Sequence, residues 1–538
     1  MTSMRVYLLL SALLCGLTLS AESAAEPVTV SFSETTIALD PHHSYSSTEA
    51  QVYTALYEGL YTYHPLTLEP VPGVARSYDL SEDGRTYTFR LRPDARYWNG
   101  DPVTAEDFRE SWLLHLDPED KAEYTFLLDI IEGAREYRTG KGKKEDVGIR
   151  VSEEGNLVVS LTHPASHFLK ILCHHSFSPV HPKFREETDW SSVPSVIGNG
   201  PFMLYSRDDQ KLVLRKNQLY WDRDKVLTGE ITVLLSDDYQ RITDRFNSSG
   251  ILWAAGNILY DQVENPKTLA VFHQFATSYF YFVSKSEPWD DARVRRALLL
   301  LVPWEELRSE ERYAVPTARA VPSIAGYPEI SGIDSRDRDE AFRLLEEAGF
   351  PKGRGLPAPV FKIPESREVQ ELSLAMAESW KEAIGLEAGF TVVPYADYYS
   401  AIETLDYTLG LMSWIGDYAD PLAFLQMWVS DSNLNKGAYV SPRYDELIEE
   451  SMDLEGRERY ARLAEAEELI LNEGAIIPYK HSPSYNFVHA DVLNGWVPNP
   501  LDIHPFKYLH YNKPPLPARI VRGEASRDRY SSESSERP

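Results

Sequence analysis

The texture of the chain changes near residue 286, and that change constrains the fold more than any single motif. Before it, the patterned segments alternate or run as short apolar stretches: VTVSFSE (28–34), YTFRLRP (87–93), LVVSLTHP (157–164), two runs within 198–221 joined by the polar turn SRDDQK, and SYFYFVSK (278–285). A period of two puts alternate side chains on one face of a pleated strand, so these segments read as strands. Two helices interrupt them. Ala50, Tyr53, Ala55, Leu56 and Leu60 recur at helical spacing behind Ser47 or Thr48 as the cap. Thr104, with Asp107 three residues on, opens a second helix whose stripe is Phe108, Trp112, Leu113 and Leu116. After residue 286, helical runs (DARVRRALLLLVPWEEL, DEAFRLLEEAGF, ELSLAMAESWKEAIGL, ERYARLAEAEELIL) alternate with strand runs (APVFKI, LEAGFTVV, DYTLGLMSW). Such alternation is the mark of an α/β layer. Domains of about 100 to 200 residues make two or three of them the expectation for this length.

Charge removes several functions. The formal net charge of -28 argues against nucleic acid, whose binding needs a basic face, and against adsorption to an anionic membrane. The first 25 residues carry Arg5, an apolar stretch too short for a confident membrane span, and small residues before Glu26. They read as an export leader cut after Ala25, so the mature chain is expected to be exported and periplasmic. Cys15 lies in that leader, and Leu14 occupies the place where a lipoprotein signal carries a small residue. Cys173 is then the one mature thiol and reads as a small buried hydrophobe. The end of the chain, from Pro514, is rich in Pro, Ser, Arg and Glu and reads as a disordered tail.

Familiar catalytic and cofactor patterns are missing. RTGKGKKEDVG (138–148) lacks the Ser or Thr of a P-loop and the strand before it. There is no G-x-G-x-x-G opening a helix, no H-E-x-x-H, no cysteine pair and no G-x-S-x-G. His174, His175 and His181, in CHHSFSPVHP, read either as metal ligands or as ordinary histidines of an ordered loop. The stretch SWIGDYADP (413–421) holds two aspartates three apart. From the residues alone Asp417 and Asp420 are open to three readings: a polar turn, a binding anchor, or a catalytic carboxylate pair, which needs carboxyls roughly 5 to 10 Å apart.

The order of motifs narrows these readings. LDPH (39–42), LYEGLY (56–61), PVPGVARSYDLSEDGRTYTFRLRPDARYWNGDPVTAEDF (70–108), GNGPFML (198–204), NQLYWD (217–222), PWDDARVRRAL (288–298) and WIGDYADP (414–421) follow one another. Together they resemble the solute-binding proteins of peptide-importing ABC transporters, the oligopeptide- and dipeptide-binding family, over about residues 28–511. The resemblance implies an α/β two-lobed clamp of three domains: a discontinuous first lobe (26–70, 190–285 and 489–513), an inserted domain (71–189) and a second lobe (286–488). It implies ligand capture by hinge closure, no enzymatic chemistry, no metal or cofactor, a monomer, and delivery to a membrane permease with its ATPase.

The resemblance also assigns roles. Asp417 falls where relatives pair an aspartate with a peptide's free α-amino group, and Asp420 reads as a turn or cap residue. Ser413, Ile415 and Gly416 are then main-chain partners of the peptide, on an edge strand. Ser47, Thr48 and Glu49 would pair with it from the opposite lobe. Trp414, Tyr124 and Phe280 become aromatic walls. Relatives with an arginine before the tryptophan or a glutamate after the aromatic run differ from this chain, which has LGLM (409–412) and Phe282. Both differences imply a more apolar pocket and put in doubt how a peptide's carboxylate would be met. The alternative ligand within the same fold is a metal chelate or small cationic solute; a hydrolase using both aspartates is the reading from another class.

Overall fold

Three larger sheets, of seven, six and four strands, organise the computed structural model, which describes residues 27–512 apart from 34–35, 45, 121, 166, 188–189, 191–194 and 309–312. The expected leader, with Cys15, and the tail lie outside the described residues.

The seven-stranded sheet runs Leu269–His273, Pro483–Val488, Trp253–Ala255, Val28–Phe32, Glu230–Leu235, Lys211–Lys216, Phe202–Asp208. Val28–Phe32 is parallel to both neighbours, and the other pairs are antiparallel. The four-stranded sheet is an antiparallel unit of Ala75–Leu80, Thr86–Leu91, Leu157–Ser160 and Ile149–Val151. It falls within the expected insertion. The six-stranded sheet runs Val315–Pro316, Ile476–His481, Ala276–Phe282, Leu409–Ile415, Val360–Pro364, Gly389–Val393. Its last three strands are mutually parallel, and helix Arg367–Ile384 joins two of them.

Two strands belong elsewhere than the expected boundaries say. Ala276–Phe282 pairs inside the six-stranded sheet, so the chain crosses into the second lobe ahead of residue 276, not at 286. Pro483–Val488 lies in the seven-stranded sheet, so the return comes before residue 489. The change of texture marks the first helix of the second lobe. The strand that founds the lobe precedes that helix and is buried along its whole length, so it shows no alternation to tell which sheet it joins.

Local signals explain the helices. Thr104 caps Ala105–His115 through the Asp107 N–H, and the Asp107 carboxylate accepts the Thr104 N–H at 2.8 Å. At Ser47–Leu56 the same reciprocal cap is made by Ser46 and Glu49, one residue ahead of the expected Ser47 or Thr48.

Three of the motifs that carry the resemblance meet at one place. The buried Glu58 carboxylate accepts hydrogen bonds from the Tyr220 hydroxyl and the Trp221 indole N–H. Lys507 Nζ donates to Tyr220 at 2.9 Å and pairs with Asp222 at 2.6 Å. Asn199 takes the Glu58 N–H at 3.0 Å and gives its amide to the Glu58 carbonyl at 2.8 Å. A side chain on Gly200 would put Cβ 2.6 Å from the Ala55 carbonyl oxygen, so only glycine lets the two backbones approach. LYEGLY, GNGPFML and NQLYWD thus form a structural junction of the first lobe.

Candidate functional site

Strand Leu409–Ile415 ends at the carboxyl edge of the parallel strands, where open α/β sheets place ligands. Its first half is core: Leu409, Leu411 and Met412 are buried, and Met412 Sδ accepts the Tyr279 hydroxyl at 3.2 Å. LGLM therefore does not line a pocket. Nor does Phe282, buried and stacked on Trp289, so the expected apolar pocket does not follow from either.

The strand pairs with Ala276–Phe282 along its full length but meets Val360–Pro364 only at Phe361↔Leu409. It is interior at its start and an edge only towards its end. The Gly416 N–H donates to the Phe275 carbonyl and the Val283 N–H to the Thr408 carbonyl, so even-numbered residues bond across this ladder. In an antiparallel pair the alternate residues turn their N–H and C=O groups the other way. These are Leu411, whose two groups both meet the Tyr398 hydroxyl, and then Ser413 and Ile415. Gly416 sits so close to neighbouring rings that a Cβ would lie 2.6 Å from Phe275 and 2.9 Å from Phe424.

Asp417 follows directly. Its side chain is 9% exposed, and Oδ2 has no hydrogen-bond partner among the described residues. Oδ1 faces His174 Nε2 at 3.8 Å. The Tyr63 hydroxyl holds the residue's main chain by donating to its carbonyl at 2.9 Å. Burial pushes the carboxyl up to about 8, its own main-chain N–H working the other way. Burial, with His175 and His115 nearby, holds His174 well below the usual imidazole range. Tyr124 lies on His174 with centroids 4.4 Å apart and 6.2 Å from the Trp414 ring. Trp414 is half-buried, and its indole N–H donates to the Ala423 carbonyl at 2.9 Å. Asp417, Trp414 and Tyr124 are thus brought together, with His174 and Tyr63 added by the structure.

Asp420 is different in kind. It takes two hydrogen bonds from the Arg459 guanidinium at 2.8 and 2.9 Å, both side chains being about a tenth exposed, and it accepts the Leu422 N–H at 3.0 Å. The two aspartates do not act as a pair.

Other expectations are corrected. Phe280 is 0% exposed, edge-on to Phe361 and packed on Tyr479, a core residue rather than a wall. Ser47, Thr48 and Glu49 form the first turn of a helix, so they cannot add to a peptide as a strand; a helix start offers only its outward N–H groups, and that of Glu49 goes to Ser46. The three histidines go to different partners: His174 to Asp417, His175 to the Ser44 hydroxyl at 2.7 Å, His181 to Asp101 at 3.0 Å. His174 had a visible signal, the HH of CHHSF, but nothing local ties it to residue 417.

The inserted domain and second lobe are locked together beside this site. Arg135 pairs with Asp431 at 2.8 Å, and Arg138, held within the insertion by Asp129, also donates to the Asp431 carbonyl at 3.1 Å. The Asn433 amide reaches the carbonyls of Ala122 and Glu123 at 2.7 and 3.0 Å.

Known proteins share this architecture. The chain is 27% identical to the dipeptide-binding protein DppE of Bacillus subtilis, covering 88% of this chain and 90% of that one. It is also 27% identical to the periplasmic oligopeptide-binding protein OppA of Escherichia coli, over 91% and 93%. The Escherichia coli murein tripeptide binding protein MppA superposes with a TM-score of 0.81 at 26% identity, over 91% of this chain and 99% of that one. Its unliganded open form, at the same identity and with 90% and 97% covered, reaches only 0.64. The cross-domain contacts accord with a lobe arrangement unlike that open form. Residues 69–436 match the family described as bacterial extracellular solute-binding proteins, family 5 Middle, and the chain belongs to that family.

Proposed function

We propose that the protein is the peptide-capturing component of an ABC importer, exported to the periplasm as a monomer. It would hold a short peptide between its lobes and present it to a membrane permease and its ATPase. The observation that carries this reading is the buried Asp417, whose Oδ2 has no hydrogen-bond partner among the described residues and which follows a strand whose last alternate main-chain groups face away from its paired neighbour. An unpaired buried charge costs several kcal/mol, so such a carboxylate is worth keeping only where a cation arrives. A peptide's α-ammonium fits: it carries one charge and three donors. The main-chain groups of Ser413 and Ile415 supply hydrogen bonds that read no side chain. Tyr124 and Trp414 flank the first peptide residues. Relatives named as dipeptide- and oligopeptide-binding proteins support peptide over a metal chelate. The role is binding, not turnover.

The test is binding of short peptides with and without an acetylated N-terminus. Free-amino peptides are expected to raise the melting temperature and acetylated ones to do so much less. Equal binding of the two would remove the ammonium anchor.

A further inference from the structure

We propose that His174 is a positioning residue of the ammonium site: a neutral imidazole that donates from Nε2 to Asp417 Oδ1 and reserves Oδ2 for the ligand. This rests on the reading of Asp417 given above.

The geometry carries the assignment. His174 Nδ1 accepts the Ser176 N–H at 3.4 Å, so the proton of the neutral ring belongs on Nε2, the nitrogen that faces Asp417. The ring is packed against Tyr124 at 4.4 Å and His175 at 4.2 Å, both tilted to it, with Phe177 at 5.9 Å. The gap of 3.8 Å to Oδ1 exceeds a hydrogen bond, and a shift of about 1 Å closes it. A carboxylate that ionises when an ammonium arrives gains from that shift, because a donor to a charged acceptor makes a stronger bond than one to a neutral acid. The residue type matters. A lysine or arginine at position 174 would pair with Asp417 and cancel the charge the ligand needs. An acid would repel it. A neutral donor stabilises the carboxylate without opposing the incoming cation.

Position matters as well. Asp417 comes from the second lobe, while His174 comes from the insertion and Tyr63 from the segment leading into it. The carboxylate and the groups that set its orientation therefore meet only when these domains are together. The anchor is assembled by closure instead of being presented ready-made by one lobe.

The two nitrogens of the imidazole separate this role from a structural one. Asparagine places its amide near Nδ1 and keeps the acceptor for Ser176, but nothing reaches Asp417. Glutamine places its amide near Nε2 and keeps the donor, but loses the Ser176 contact. The experiment incubates the full chain with a mixed pool of short peptides, half of them N-acetylated, and reads the bound fraction by native mass spectrometry. In His174→Asn the preference for free over acetylated peptides should fall about tenfold. In His174→Gln it should stay within about threefold of the parent. If His174→Asn keeps the parental preference, or His174→Gln loses it as fully as His174→Asn, the assignment is overturned. Asp417→Asn, run in parallel, should abolish the preference. If it does not, the ammonium anchor itself falls and the role of His174 with it.

Discussion

Asp417 and Asp420 stand three residues apart in one loop, and they show how little of a carboxylate's chemistry is local. Asp420 is satisfied from within the protein: Arg459, on helix Gly456–Asn472, brings two hydrogen bonds, and the chain supplies a third. Asp417 has an oxygen with no partner among the described residues, while its own main-chain N–H and His174, 3.8 Å from the other oxygen, are what it meets. One carboxylate completes the fold. The other is held at a cost to the fold, which the proposed peptide ammonium would offset.

The contrast is sharpest under substitution. Asp420→Ala leaves the buried Arg459 without its anion and should cost about 3–5 kcal/mol of stability. Chemical denaturation should show the loss, while any peptide still bound should keep its free-amino preference. A variant as stable as the parent would mean that Arg459 finds another partner and that the contrast is overdrawn. Asp417→Asn should do the reverse. Affinity for free-amino peptides should fall roughly 100- to 1,000-fold, the share of a charge-assisted pair buried at a single point. Stability without ligand should hold or rise near neutral pH, as the substitution removes the proton uptake that burial forces on the folded carboxyl. Calorimetry of binding beside a melt of the empty protein separates the two effects, and a destabilised Asp417→Asn would break the comparison.

Proton uptake gives a third test. With the folded carboxyl at about 8 and an unfolded one near its ordinary value of about 4, the empty folded protein holds a proton that the unfolded chain has lost between those limits. Its stability should therefore fall as pH rises from about 4 to about 8, with no further loss from this group above that. Asp417→Asn should remove that component of the slope. Binding of an ammonium at pH 6.5 should expel about one proton per peptide, visible as a dependence of the binding enthalpy on the buffer's ionisation enthalpy; Asp420→Asn should leave this release in place. The smallest effect is expected from Trp414→Phe. It keeps an aromatic wall and removes one hydrogen bond, to the Ala423 carbonyl, worth about 1 kcal/mol. A loss of affinity larger than the loss of stability would show the indole edge meeting the ligand itself.

The same divide governs what was legible in the sequence. Periodicity placed most strands and helices, and the capping pair Thr104–Asp107 was visible because both partners lie within one turn. Residues satisfied at long range were misread. The resemblance put Phe280 and LGLM at the pocket, and an all-apolar strand has no period to say otherwise; both are core. Ser47, Thr48 and Glu49 read as a pairing segment by resemblance, while the cap that makes them helical begins at Ser46. Arg459 lies 39 residues beyond Asp420, and His174 lies far ahead of Asp417 in the chain. Neither partnership has a spacing to recognise, since only the assembled lobes bring the residues within reach.

The junction around Glu58 also sets an order of events. The sheet that opens with Val28–Phe32 holds Leu269–His273 only through Pro483–Val488, and the charge cluster beside Tyr220 is completed by Lys507. A chain emerging from its N-terminus cannot finish its first domain until nearly all the others have been made. Folding of that lobe therefore waits on the last segment to appear. A truncation before residue 483 should spare the four-stranded insertion and abolish the lobe that begins the chain.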